Sequence, residues 1–123
     1  MNREELERRT LEFSKNLIRV IRKLPKNQIN YKISGQVIDS GTSIGANYSE
    51  ANAAESRKDF KHKNHIAFKE AKETSYWLDI LIFANPNNSD ELSVLWKESD
   101  EFVKIFGKIV SSCTKDLSAY EPN

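Results

Sequence analysis

From Phe60 to Leu81 the small and apolar positions step by four and three without a break: Phe60, Asn64, Ala67, Ala71, Thr74, Leu78 and Leu81. This spacing returns to one side of a 3.6-residue helix for about six turns. A strand, with its period of two, cannot carry it. Ile66, Phe68, Tyr76, Trp77, Ile80 and Phe83 lie on other faces of the same helix. So many apolar residues outside one stripe call for cover on more than one side, and a subunit partner is one source of that second cover. Ser56-Arg-Lys-Asp59 has capping-box form and starts this helix, which is expected over about Lys58 to Ala84.

The segment before it is small and nearly uncharged: Gly41-Thr-Ser-Ile-Gly-Ala-Asn-Tyr-Ser-Glu-Ala51. It belongs to a helix expected from about Ile29 to Ala53, with Ile33, Val37, Gly41, Ile44, Tyr48 and Ala51 facing inward. Gly35, Gly41 and Gly45 each cost about 1 kcal/mol of helix propensity relative to alanine. A helix that carries them needs a neighbour at close range. Gly41-x-x-x-Gly45, with Ala46 and Ser49, is such a small-residue face. Tight packing within the chain is its default use, and a subunit interface is the alternative.

Two further helices complete the set. The first is expected over Arg3 to Leu24, capped by Asn2 with Glu5 three residues on, and ended by Pro25. Its stripe is Leu6, Thr10, Phe13, Leu17, Val20/Ile21 and Leu24, widened by Leu11 and Ile18. The last begins near Asn88 or Ser89 after the loop Asn85-Pro-Asn-Asn-Ser, with Glu91 placed to close a box on Asn88. Its stripe runs Leu92, Leu95/Trp96, Ser99, Phe102, Phe106, Ile109, Cys113 and Leu117, and the tail Ala119–Asn123 should fray. Four long helices with three short connections give one all-α domain, an antiparallel up-down-up-down four-helix bundle. Charged residues make up 30% of the chain, which suits helices that each show about half their surface to water. No apolar run approaches the roughly 18 residues of a membrane span and no leader-like segment is visible, so no membrane partner is expected and the expected compartment is the cytoplasm.

The net charge of +1 conceals an asymmetry. Residues 1–26 hold eight Lys/Arg against four Glu, and residues 84–123 hold four Lys against seven acids. Arg8, Lys15, Arg19, Arg22 and Lys26 recur at steps of seven, four, three and four, one basic face opposite the apolar stripe. Lys58, Lys61, His65, Lys69 and Lys72 form a second basic set on the third helix. Such stripes neutralise phosphates, and copies around a ring would multiply the effect. They also simply keep helices soluble, and Glu12, Asp59 and Glu73 interleave them. Stacking platforms for single strands need exposed aromatics near the lysines; Tyr76 and Trp77 are the candidates, although packing is their default role.

No set of residues points to catalysis. His62, His65 and Asp59 share a helix, but bundle metal centres use Glu-x-x-His pairs and none is present, so neither metal nor cofactor is expected. Cys113, on the apolar stripe, reads as core filler with no histidine nearby in sequence to activate it. Glu50, Glu70 and Glu73 lie at or near small-residue surfaces, and with Asn47 they are expected to fix the turn between the second and third helices or a subunit contact.

Three blocks carry a resemblance over nearly the whole chain: Ser43-Ile-Gly-Ala-Asn-Tyr-Ser-Glu-Ala51, Ser56-x-x-Asp-Phe60 and Lys69-Glu-Ala-x-Glu-Thr-x-Tyr-Trp-Leu78. They resemble the family named four helix bundle protein, which includes proteins encoded in intervening sequences of bacterial large-subunit ribosomal RNA genes and once carried a ribosomal-protein label. The resemblance implies a left-handed bundle that assembles as a ring-like homopentamer. More distantly the chain is similar to the accessory protein of diversity-generating retroelements, a pentameric bundle that binds nucleic acid and a reverse transcriptase. That relative is strongly basic, whereas this chain is near neutral. The reading that follows is a non-enzymatic homo-oligomer that binds RNA or DNA, with a nucleic-acid-processing protein as a further partner. Its alternative is a protein–protein scaffold that touches no nucleic acid.

Overall fold

The computed structural model of the chain describes residues 1–120, with side chains through Thr114. Four helices follow one another: α1 (Arg3–Ile21), α2 (Gln28–Asn52), α3 (Arg57–Ala84) and α4 (Ser89–Tyr120), with a 3₁₀ turn at Pro86–Asn88. Side-chain oxygens cap three of them. Asn2 Oδ1 accepts the Glu5 N–H at 2.8 Å, Asn27 Oδ1 accepts that of Asn30 at 2.8 Å, and Ser56 Oγ accepts that of Asp59 at 3.0 Å.

Two boundaries differ from expectation. α1 stops at Ile21, three residues before Leu24, because the Lys23 and Leu24 N–H groups bond back to Val20 and Ile21, three residues rather than four. The tightened turn still delivers Leu24 to the core at 5% exposure. It also removes Lys26 from the helical face assigned to it, leaving that residue in the connection. At the same end of the bundle, Asn88 does not cap α4 but closes the 3₁₀ turn, its N–H on the Asn85 carbonyl at 2.9 Å. α4 runs on to Tyr120, past the expected start of the tail at Ala119; residues 121–123 and the side chain of Leu117 lie outside what is described.

Each neighbouring pair of helices is antiparallel. Glu7 of α1 bonds Asn52 of α2, while Leu17 meets Gly41. Lys63 of α3 reaches Glu50 of α2, while Thr74 meets Ser40. Phe68 packs on Gly107 of α4, while Ser75 bonds Ser99. Arg9 of α1 pairs with Glu98 of α4, while Lys23 pairs with Glu91. α3 packs closely on both α2 and α4; α1 packs on α2, touches α4 only sparsely, and lies across the bundle from α3.

The core holds the expected stripes: Leu6, Phe13 and Leu17 of α1, Val37 and Ile44 of α2, Leu78 and Leu81 of α3, and Leu92, Phe102 and Phe106 of α4. Phe13 meets Phe102 edge to face, with ring centroids 5.4 Å apart, and Tyr48 meets Phe106 at the same distance. Ile33 is only half-buried; Ser34 is buried in its place. Cys113 is likewise half-buried rather than core filler.

Gly41 and Gly45 are explained within the chain. A Cβ at Gly41 would lie 2.4 Å from Leu17 Cδ2, and one at Gly45 would lie 2.8 Å from Thr10 Oγ1. Here α1 rides directly on the backbone of α2. Gly35 has no such neighbour: nothing lies within 4 Å of its added Cβ.

Candidate nucleic-acid interface

One exposed line runs the length of α3. Lys58, His62, His65, Lys69, Lys72, Tyr76 and Phe83 follow at steps of four, three, four, three, four and seven, on the face turned away from the core stripe. Its first half is basic and its second half aromatic. Lys58 and Lys69 are exposed and make no ion pair among the described residues. Lys72 Nζ sits 5.6 Å over the Phe68 ring, on which His65 also stacks. That ring holds the base of the line without neutralising it. Lys61 belongs to the same surface but is half-buried at its edge.

Tyr76 is 60% exposed and Phe83 is 87% exposed. Packing was the expectation for Tyr76 and cover for Phe83, yet neither is covered by this chain, since α2 and α4 flank α3 on its other sides. Trp77, half-buried, stands edge-on to Tyr76 with centroids 5.1 Å apart, and its indole N–H donates to Glu73 at 3.0 Å. The Tyr76 ring therefore has a fixed wall behind it. Phe83 was missed as a site residue. The signal was available: the same four-and-three spacing that joins the lysines continues through Tyr76 to it.

Acids border the line. Glu73 and Asp79 flank its aromatic half. Glu70, half-buried toward α2, has its carboxyl held above the usual carboxylate range, chiefly by burial and then by Glu73 and Asp39, with Lys69 working the other way.

The basic face of α1 is a weaker platform. Lys15 lies 3.7 Å and Arg19 3.9 Å from the same Glu12 carboxylate, and Arg19 also bonds Asn16. Arg8 and Arg22 are exposed without an ion pair among the described residues. Because α1 lies across the bundle from α3, the two basic stripes do not merge into one surface of the chain.

The remaining candidates sit at the seams. Glu50 Oε1 accepts from Lys63 Nζ at 2.8 Å, across the turn between α2 and α3. Asn47 Nδ2 donates to the Ser43 carbonyl of its own helix. Between α1 and α4 runs a groove whose apolar lining is Phe13, Val20, Val94 and Leu95. Arg9–Glu98 and Lys23–Glu91 bridge it toward its two ends. Among the described residues no three His, Cys, Asp or Glu side chains converge as metal ligands, and no helix is long and apolar enough to cross a membrane.

A family model described as 23S rRNA-intervening sequence protein matches residues 4–108. Among solved structures, the chain is similar to a protein of unknown function from the S23 ribosomal protein family of Bacteroides thetaiotaomicron VPI-5482. The two share 36% identity and a TM-score of 0.80, over 90% of this chain and 99% of that one. No curated protein matches the chain.

Proposed function

Since the chain belongs to the 23S rRNA-intervening sequence protein family, we propose that it is a non-enzymatic module that binds RNA or DNA through the outer face of α3. The observation that carries this reading is the line of cations ending in two uncovered aromatics: Lys58, Lys69 and Lys72, then Tyr76 and Phe83. Phosphates supply affinity to such a face, and bases supply stacking surface. The protein works as a homo-oligomer, a pentamer in the form the family resemblance implies, so that several copies of a modest site act together. A cytoplasmic ribonucleoprotein, with a nucleic-acid-processing protein as a further partner, is the setting proposed for it.

The test is a gel-shift series with structured RNA at two salt concentrations. Three to four lysine–phosphate contacts would weaken binding roughly 20- to 150-fold between about 50 and 200 mM salt, from the unpaired-strand slope to the duplex slope. Lys69→Glu with Lys72→Glu would abolish the shift, whereas Arg19→Glu with Arg22→Glu would reduce it less. No shift at low salt would reject the proposal. The exposure of Phe83 favours one second reading, a protein–protein scaffold that uses the same face and touches no nucleic acid. A Phe83→Ala variant that lowers the sedimenting mass without any shift of RNA would support it.

A further inference from the structure

We infer that the face of α3 selects an unpaired polynucleotide strand over a duplex, with Tyr76 and Phe83 as the base-stacking residues and Lys69 and Lys72 as the phosphate contacts. This rests on the nucleic-acid reading above and sharpens it to a ligand class. Tyr76 and Phe83 are two helical turns apart, roughly 10 Å, which is about three stacked base steps. Both rings project into open solvent, at 60% and 87% exposure. A free base presents a π-face to such a ring, whereas in a duplex both faces of each base are already stacked.

Charge orders the two halves. Lys69 and Lys72 lie two turns and one turn before Tyr76, without an ion pair among the described residues. Past Tyr76 the flanking charge is Asp79, and Glu73 borders the other side. Phosphates are drawn to the first half and repelled from the second, so the second half receives bases. Trp77 limits the movement of the Tyr76 ring at 5.1 Å and is itself held by Glu73, so little freedom remains to be lost when a base stacks.

The experiment uses a fluorescein-labelled oligonucleotide of about a dozen nucleotides, unpaired and annealed to its complement, in ribose and deoxyribose forms, read by polarisation. The inference expects the unpaired form, in either sugar, to bind at least about tenfold tighter than the duplex. It expects Tyr76→Ala or Phe83→Ala to weaken unpaired binding about tenfold while leaving duplex binding unchanged. Lys69→Glu with Lys72→Glu should weaken both. Equal binding of the two forms, indifferent to Tyr76→Ala, would overturn the inference while leaving the nucleic-acid reading standing. No binding of either form would overturn both. A Phe83→Ala variant that changes sedimenting mass but not binding would also overturn the inference, because a second copy of the chain would then cover the face. Both aromatics are exposed and outside the core, so these variants keep the fold.

Discussion

The side-chain amides of Asn30 and Asn85 hold each other by two hydrogen bonds, Asn30 Nδ2 to Asn85 Oδ1 at 2.7 Å and Asn85 Nδ2 to Asn30 Oδ1 at 2.8 Å. Their second N–H groups donate to the Pro25 and Leu81 carbonyls, both at 2.9 Å. Each side chain is 4% exposed. One closed amide pair thus ties the connection after α1 and the start of α2 to the end of α3.

Removing both partners should cost less than the two single removals summed. Asn85→Ala leaves the buried Asn30 amide short of a donor and an acceptor, at a cost of about 1–3 kcal/mol. The Asn30→Ala/Asn85→Ala double variant should fall short of the sum of the singles by at least about 0.5 kcal/mol. Urea unfolding of the four proteins measures this. Strict additivity would mean that the pair is not coupled.

Two glycines of α2 should respond in opposite directions to the same methyl group. Alanine gains about 1 kcal/mol of helix propensity over glycine at either position. At Gly41 the new Cβ would meet Leu17 Cδ2 at 2.4 Å, inside a full core, and overpacking of about 1–3 kcal/mol outweighs the gain. At Gly35 it meets nothing within 4 Å, so Gly35→Ala should stabilise the folded subunit by up to about 1 kcal/mol. Thermal unfolding of both variants tests the pair. If Gly35→Ala lowers the sedimenting mass instead, a second copy packs where the single chain leaves that face open.

The two glycines also mark how far the sequence was legible. The core stripes could be read in advance because burial imposes a period, and Leu17, Val37, Leu78 and Phe102 report it residue by residue. The glycine pattern announced a close approach, although only the α1–α2 register could say that Thr10 and Leu17 fill it. The end of α1 was overestimated because Leu24 stays on the stripe after the helix has tightened into a turn. The candidate face was half legible. Its lysines stand out by charge, and Tyr76 and Phe83 continue their spacing off the core stripe, but only the positions of α2 and α4 show that this side of α3 is bare. Exposure of an apolar side chain depends on neighbours distant in sequence, and periodicity within one helix does not supply them.

Glu70 gives the fold a pH dependence of definite sign. Its carboxyl is raised, mainly by burial against α2, so the charged form is disfavoured in the folded state. The stability contributed by this group is complete below the ordinary carboxylate range and is lost as pH rises through the raised value. Glu70→Gln should therefore raise the unfolding midpoint at neutral pH, and the gain should vanish below about pH 4. Midpoints for the two proteins across that range provide the check. A Gln variant that is less stable at neutral pH would mean that a cation outside the single chain, such as a basic residue of another copy, compensates Glu70 in the assembly.

The seam between α1 and α4 depends on Arg9. Its Nε and Nη2 reach the two Glu98 oxygens at 2.6 and 2.8 Å, and its guanidinium lies 5.4 Å from the centre of the buried Phe102 ring. Glu101 stands 3.9 Å away on the same side. Since α1 packs sparsely on α4, these contacts are a large share of what closes that side of the bundle. A two-point carboxylate pair at 30% exposure, combined with a ring contact, contributes about 1–2 kcal/mol, more than an ordinary surface ion pair. Arg9→Ala should lose that amount. Arg9→Lys should recover less than half, because an ammonium cannot span both oxygens and cover the ring at once. Raising salt should narrow the gap between wild type and Arg9→Ala without closing it, since the ring contact and buried stem are not screened. Hydrogen exchange localises the effect: the amides of α1 should open at lower free energy in Arg9→Ala, with those of α2 and α3 unchanged. If α1 and α3 lose protection together, the helix is not held at this seam and the bundle opens as one unit.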